Sequence, residues 1–141
     1  MKKSILIVDD EVSIIETYKE ILELSDFNVF TANNPYKALQ IINNNDNIIH
    51  LAILDYNLPQ MTGIQLGHLI KKSNESIKIM FFSGNPDINE FVCDIKYETC
   101  MVLTKPISLE KYIQAVNTVL DEPMKELSKD NVKIELKNQV N

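Results

Sequence analysis

The chain has 141 residues, of which 45% are hydrophobic and 24% charged, a size and balance typical of one globular domain. Its net charge of −6 at pH 7 and its lack of arginine disfavour nucleic acid as a partner, because an acidic surface repels phosphate. No apolar run approaches the roughly 20 residues that cross a bilayer, and the N-terminus lacks a signal-peptide core, so we expect a cytoplasmic protein with no membrane partner.

The first residues begin a regular alternation of strand and helix patterns. A continuous apolar run at residues 4–8 predicts a strand that is buried on both faces of a parallel sheet. After Asp9 and Asp10, apolar residues recur from Glu11 onwards at the spacing of a helix with one buried stripe. Further strand patterns occupy residues 27–31, 49–54, 77–82 and 100–103, and further helix patterns occupy residues 35–42, with Asn34 as cap, 63–72, 87–95 and 109–120.

Five strand–helix units in this order predict an α/β fold. Parallel strands need crossover connections, so the units should form an open five-stranded parallel sheet with helices on both faces. Residues 1–122 would form this domain. Residues 123–141, which follow the last predicted helix, are expected to be a flexible tail or a linker to a further output region.

Polar residues follow four of the five predicted strands, and ligands bind at that edge of such sheets. These residues are Asp9-Asp10, Asp55, Ser83-Gly84 and Lys105-Pro106. Converging carboxylates repel each other unless a cation compensates them, and Mg²⁺ takes one or two carboxylates while leaving room for phosphate oxygens. Aspartate can attack phosphorus to form an acyl phosphate. The set would therefore suffice for phosphoryl transfer to Asp55, with Lys105 and Ser83 sharing the transition-state charge.

Each of these residues also fits a purely structural role. Asp10 alone fits the N-cap of the first helix, Ser83-Gly84 an ordinary turn, and Lys105 a solvated surface lysine. Their joint occurrence at successive strand ends favours a common site.

Four segments make the sequence similar to the receiver domains of two-component response regulators. They are VDDE at residues 8–11, LDYNLPQMTG at 54–63, FSG at 82–84 and TKP at 104–106. The resemblance runs from about Lys3 to Leu120. It implies a flavodoxin-like (βα)5 fold with strand order 2-1-3-4-5.

The resemblance implies that Asp55 accepts a phosphoryl group in a phosphorelay. Lys105 would form an ion pair with that group, Ser83 would donate a hydrogen bond to it, and Gly84 would let its own backbone amide approach. The protein would then be a signalling switch rather than an enzyme, catalysing only its own phosphorylation and dephosphorylation.

A Mg²⁺ site follows from the same resemblance. The side chains of Asp10 and Asp55 would bind the ion directly, Asn57 would contribute its backbone carbonyl, and Asp9 would act through a water molecule. The Lys105-Pro106 bond resembles the family's cis peptide.

The implied partners are proteins. A sensor histidine kinase or a phosphotransfer protein would donate the phosphoryl group, and a downstream protein would bind the face formed by the fourth helix, the fifth strand and the final helix. The chain would be a monomer or a phosphorylation-dependent homodimer. Val102 departs from the pattern, since many members carry Tyr or Phe three residues before the lysine, so no rotating aromatic side chain is expected there.

Two other functions stay open. One is a pseudo-receiver that binds partners without phosphorylation, which the intact acidic pair and Lys105 disfavour. The other is a magnesium-dependent phosphatase of the haloacid-dehalogenase type, which also uses a strand-end aspartate. Those enzymes carry Asp-x-Asp, whereas residue 57 of this chain is Asn.

Overall fold

The structure, a computed structural model, describes residues 2–84 and 100–121. Its strands are β1 (Ser4–Val8), β2 (Asn28–Ala32), β3 (Leu51–Leu54), β4 (Lys78–Ser83) and β5 (Cys100–Thr104). Its helices are α1 (Val12–Leu24), α2 (Pro35–Asn43), α3 (Gly63–Ser73) and α4 (Leu109–Asp121). The helix predicted at residues 87–95 and the tail at 123–141 lie outside the described residues. Within the described ranges, no helix is both long and apolar enough to span a membrane.

The strands form one parallel sheet in the order β2-β1-β3-β4-β5, which confirms the predicted fold class and strand order. From β1 the chain proceeds first to β2 on one side and later to β3 on the other. This reversal of direction is where open α/β sheets form a ligand-binding crevice. The pairing aligns Val8 with Leu54 and Leu54 with Phe81, so β1, β3 and β4 end near the same level.

Two apolar layers cover the sheet, one on each face. Leu6 and Val8 of β1 belong to the layer beneath α2 and α3, and Ile5 and Ile7 belong to the layer beneath α1 and α4. All residues of β1 are buried, as its continuous apolar run predicts. Burial of both faces leaves the edge where the strands end as the place for polar chemistry.

The third strand is shorter than its apolar pattern predicts, since it begins at Leu51 rather than at residue 49. The reason lies in His50, whose Nδ1 atom accepts a 2.9 Å hydrogen bond from the backbone amide of Ser4. A side chain thus takes a position in the β1–β3 pairing that a backbone carbonyl would otherwise hold. The other strands, α2, α3 and α4 begin and end within one residue of the predicted bounds.

Side-chain caps fix the starts of α2 and α3. Asn34 accepts a 2.8 Å hydrogen bond from the backbone amide of Lys37, which confirms it as the N-cap of α2. Thr62 and Gln65 form a reciprocal capping box at the start of α3. This cap sets where α3 begins, directly after the loop that follows Asp55.

A buried lysine holds the end of α4. Lys78, the first residue of β4, is only 7% exposed, and its Nζ atom donates hydrogen bonds to the backbone carbonyls of Val119 (2.8 Å) and Leu120 (3.2 Å). Carbonyl groups in the last turn of a helix lack partners within the helix and carry partial negative charge. Lys78 therefore ties the final helix to the edge of the sheet at which the strands begin.

Candidate functional site

Backbone hydrogen bonds between neighbouring strands fix the residues that follow them. The amide of Asp55 donates to the carbonyl of Val8 (3.0 Å), and the amide of Lys105 donates to the carbonyl of Ser83 (2.9 Å). The amide of Asp9 is also held, at 3.2 Å, by the last residue of β2. The polar residues after β1, β3 and β5 are thus extensions of the sheet with fixed positions.

Among the residues that the structure describes, four acidic side chains meet at this edge. Asp9, Asp10, Glu11 and Asp55 each present a carboxylate oxygen, and these oxygens all lie within 4.8 Å of one another. Asp9 (2% exposed) and Asp55 (5% exposed) are buried, whereas Asp10 and Glu11 are exposed. The cluster therefore has an inner and an outer pair of acids and opens to solvent on one side. Asp9, Asp10 and Asp55 come together as their positions after the strands predict.

Glu11 was missed as a member of this cluster. It is the N-cap residue of α1, although its side chain makes no capping hydrogen bond. Its position directly after Asp10 is the signal that would have pointed to it. The interpretation of Asp10 as the N-cap of α1 is wrong, because that position belongs to Glu11, whose amide donates instead to Asp9 Oδ1 at 2.9 Å.

Lys105 lies among these acids. Its Nζ atom donates a 2.7 Å hydrogen bond to Asp9 Oδ2 and lies 3.6 Å from Asp55 Oδ2 and 3.7 Å from Glu11 Oε1. Burial lowers the pKa of the Lys105 ammonium, but the hydrogen bond to Asp9 and the nearby negative charges outweigh this effect. The pKa of Lys105 is therefore raised above its ordinary value by Asp9, Asp55 and Glu11. Its side chain is 13% exposed, so the interpretation as a solvated surface lysine is wrong.

Asp55 is held by several neighbours at once. Burial raises the pKa of its carboxyl group above the ordinary value, while the charge of Lys105, the Ser83 side chain and the Tyr56 backbone amide act in the opposite direction by stabilising the carboxylate. Asp10 adds to the rise through charge repulsion. Ser83 is fully buried and hydrogen-bonds Asp55, which excludes an ordinary exposed turn at that position.

Asp9 has a similar balance. Burial raises the pKa of its carboxyl group, and the charge of Asp55 adds to the rise. The hydrogen bonds from Lys105 and from the Glu11 amide oppose it. Two buried carboxyl groups with raised pKa values therefore share one ammonium, so the cluster favours any additional cation.

Gly63 brings the start of α3 against the backbone of Asp55. A Cβ atom at residue 63 would overlap the carbonyl oxygen of Asp55 and lie 2.8 Å from its carbonyl carbon. The amide of Gly63 also donates a 2.8 Å hydrogen bond to the carbonyl of Tyr56. The sequence pattern predicted Gly63 only as a helix start, whereas the structure gives a steric reason for glycine.

The remaining predicted site residues occupy less constrained positions. Gly84 is exposed, and among the described residues a Cβ atom built there would meet only Lys105 Cβ, at 4.0 Å, so these residues impose no steric need for glycine. Asn57 is exposed in the loop before α3 and pairs with Thr62 through an antiparallel bridge.

Val102 is 2% exposed and lies in the layer beneath α2 and α3. The Lys105–Pro106 peptide bond is cis.

Comparison with protein families agrees with this geometry. The family model of the response regulator receiver domain matches residues 5–117. A transcriptional regulatory protein CpxR homolog of Haemophilus influenzae is 30% identical over 117 residues, which cover 82% of this chain and 49% of the relative. The two-component response regulator ARR10 of Arabidopsis thaliana is 25% identical over 128 residues, covering 91% of this chain and 23% of the relative. The chain thus spans about half the length of these relatives or less.

Solved structures give the same result for the fold. A CheY-like response regulator receiver domain protein from Methanospirillum hungatei superposes with a TM-score of 0.75 at 27% identity, covering 86% of this chain and 95% of that one. The chemotaxis response regulator CheY4 of Vibrio cholerae gives a TM-score of 0.74 at 21% identity, covering 84% of this chain and 99% of that one. The second likeness concerns the fold alone.

Proposed function

Since this chain belongs to the response regulator receiver domain family, we propose that it is a phospho-accepting switch of a two-component phosphorelay, with Asp55 as the phosphoacceptor. A sensor histidine kinase or a phosphotransfer protein would supply the phosphoryl group. One observation carries the proposal. The buried Asp55 carboxylate is hydrogen-bonded by Ser83 and lies 3.6 Å from the Lys105 ammonium, within the acidic cluster.

The donor set fits Mg²⁺, which prefers carboxylate and carbonyl oxygens and keeps several waters. Asp10 and Asp55 would bind the ion through their side chains, Asn57 through its backbone carbonyl, and Asp9 through a water molecule. The described residues bring four carboxylates and a single lysine to the cluster, an excess of negative charge that favours a divalent cation. Bound Mg²⁺ would neutralise the phosphoryl oxygens as charge develops on them.

The residues of the chain perform the transfer itself. A carboxylate oxygen of Asp55 would form a bond to phosphorus while the bond between phosphorus and the donor's imidazole nitrogen breaks, and that nitrogen would keep the electron pair. Asp55 must be ionised for this attack. The Ser83 hydroxyl and the Gly84 amide would donate hydrogen bonds to the transferred group, and Lys105 would balance its charge.

Lys105 must change partners in this reaction. Its ammonium is at present hydrogen-bonded to Asp9 at 2.7 Å and is farther from Asp55. A phosphoryl group on Asp55 would add negative charge within reach of the ammonium and compete with Asp9 for it. The shift of Lys105 and the hydrogen bond from Ser83 would then favour one of two packings of the neighbouring loops.

A downstream protein would read this change on the face formed by β5, α4 and residues 87–95, of which the last lie outside the described part of the chain. Residues 1–122 would act as the receiver unit and residues 123–141 as a tail or linker. The protein would work as a monomer or as a homodimer that forms on phosphorylation, and its only catalysis would be of its own phosphorylation and dephosphorylation.

Intact mass spectrometry after incubation with Mg²⁺ and acetyl phosphate tests the proposal. We expect a gain of one phosphoryl group in the wild type and none in Asp55→Asn. Asp46→Asn, an exposed aspartate in the loop after α2, is the matched control and should be labelled like the wild type. An unlabelled wild type would point to a pseudo-receiver, sustained release of phosphate from added phosphate esters would point to a phosphatase, and labelling of Asp55→Asn would place the acceptor elsewhere.

A further inference from the structure

Three aromatic rings pack together directly below the acidic edge, on the face covered by α1 and α4. They belong to Tyr18 of α1, Phe82 of β4 and Tyr112 of α4, and we call them the aromatic cluster. The centroid of Phe82 lies 4.9 Å from that of Tyr18 and 5.1 Å from that of Tyr112, both edge-on, and the two tyrosines lie 4.2 Å apart. All three residues are buried, so the ring of Phe82 is held between two helices.

The ring of Phe82 also contacts the candidate site. Lys105 Nζ lies 5.4 Å from its centroid, within the range of a cation–π interaction. The ammonium therefore has carboxylates on one side, with Asp9 nearest, and the electron-rich face of a ring as a further neighbour. The side chain of Lys105 is only 13% exposed, so water screens this contact little.

We propose that Phe82 is a positioning residue for Lys105 in phosphoryl transfer to Asp55, an inference that rests on the proposed function. The ring stabilises the ammonium without accepting a conventional hydrogen bond, so it does not hold the charge at one point. It keeps Lys105 inside the site while the ammonium moves from Asp9 towards a phosphoryl group on Asp55. An aliphatic side chain at residue 82 would remove this support and leave Asp9 and Glu11 as the stronger attractors.

The packing of Phe82 explains why it can fill this role. Tyr18 and Tyr112 contact the ring from α1 and α4, so it has little freedom to turn away from Lys105. Phe82 also immediately precedes Ser83, and the two residues share a strand whose position is fixed by β3 and β5. Phe82 thus affects the positions of both the Lys105 ammonium and the Ser83 hydroxyl group.

Fluorinated phenylalanine at residue 82 tests the proposal with the ring shape retained. Successive fluorine atoms weaken the negative ring face, so the rate of Asp55 phosphorylation by acetyl phosphate at saturating Mg²⁺ should fall stepwise. The total decrease should be about threefold to tenfold. The same series at Phe81 is the matched control, because this residue is equally buried on the opposite face of β4, and its rates should stay constant.

Two further measurements complete the test. Phe82→Leu should slow phosphorylation to a similar extent with unchanged Mg²⁺ affinity, and Phe81→Leu should not. In nitrogen-15 spectra the ammonium protons of Lys105 should exchange with water faster as residue 82 gains fluorine. If the wild type is phosphorylated but the rate does not change with the number of fluorine atoms at residue 82, this inference is wrong and the proposed function stands. If the wild type is not phosphorylated, both are wrong.

Discussion

The first residue of α3, Gly63, lies so close to Asp55 that its missing side chain leaves room for the Asp55 backbone carbonyl. The phosphoacceptor proposed here is therefore positioned by a helix start as well as by its own strand. The capping box of Thr62 and Gln65 fixes that helix start in turn.

Gly63→Ala should destabilise the protein and slow phosphorylation, because the added methyl group would overlap the Asp55 carbonyl unless the loop or α3 shifts. Forced overpacking of this kind costs about 1–3 kcal/mol. Urea unfolding and the acetyl phosphate assay measure the two effects. Gly84→Ala is the control for stability, since in the described part of the chain its Cβ atom would meet only Lys105 Cβ, at 4.0 Å. Equal stabilities for the two variants would contradict the steric argument.

Tyr112→Phe should leave the protein as stable as the wild type or stabilise it. The Tyr112 hydroxyl group is buried and has no hydrogen-bond partner among the residues that the structure describes. An unsatisfied buried hydroxyl costs about 1–3 kcal/mol, and phenylalanine keeps the ring contacts with Tyr18 and Phe82. Urea unfolding compares it with Tyr36→Phe at an exposed position, which should change nothing. A marked loss of stability would reveal a partner of the hydroxyl group.

Asp26→Gly should stabilise the end of α1 by about 0.5–1 kcal/mol, because a left-handed backbone costs an L-residue about 1–2 kcal/mol and the freedom of glycine in the unfolded chain offsets about 0.4–1 kcal/mol. Asp26 has a φ of 72°, and the Phe27 amide bonds to the Leu22 carbonyl (3.1 Å) in a Schellman turn, where glycine is the preferred residue. The exposed ion pair of Asp26 with Lys2, at 3.5 Å, offsets little of this gain. Thermal unfolding of Asp26→Ala is the control, and a similar gain from alanine would exclude backbone strain as the cause.

Asp55→Asn should stabilise the folded protein at neutral pH in the absence of divalent cations. Burial raises the folded-state pKa of Asp55 above 3.8, so the native state binds more protons than the unfolded chain in the window above that pH. The stability contributed by this group is thus present at low pH and is lost as pH rises through the folded-state pKa. Urea unfolding from pH 4 to pH 7 should show an advantage of Asp55→Asn that grows with pH. A stability difference between Asp55→Asn and the wild type that does not change with pH, or that Asp46→Asn also shows, would contradict a raised pKa of Asp55.

Mg²⁺ should raise the melting temperature of the wild type, because an ion that binds only the folded state stabilises it. The gain reaches about 2.7 kcal/mol when the free ion is at 100 times its Kd. Asp10→Asn should lose most of this increase, since it removes an exposed ligand of the cluster. Thermal unfolding with and without the ion measures both, with Asp46→Asn expected to respond like the wild type. An unchanged response of Asp10→Asn would remove Asp10 from the metal site.

The meeting of Asp9, Asp10 and Asp55 could be predicted from the sequence because parallel strands end at one edge. A strand pattern and a topology are enough to place the residue that follows each strand. The contact between Phe82 and Lys105 could not be predicted in this way, because it depends on how α1 and α4 pack across the sheet. The same holds for the hydrogen bond between Ser4 and His50, which shortens β3 and has no signature in the apolar pattern.

The steric role of Gly63 lies between these cases. Its position at the start of a helix follows from the pattern of residues 63–72, but its proximity to Asp55 depends on the path of the intervening loop. Glu11 was missed for a similar reason, since a residue at a helix N-terminus normally interacts with its own backbone, and here the side chain turns towards Lys105.

Lys78 anchors the end of α4 at the edge of the sheet where the strands begin, opposite to the acidic cluster. Lys78 and Ser83 are the first and last of the six residues of β4, so their backbones lie roughly 17 Å apart. The chain therefore leaves α4 at the end of the sheet away from the proposed phosphoacceptor. A tilt of α4 about Lys78 is one way in which the proposed phosphorylation of Asp55 could change the position of the segment that follows Asp121.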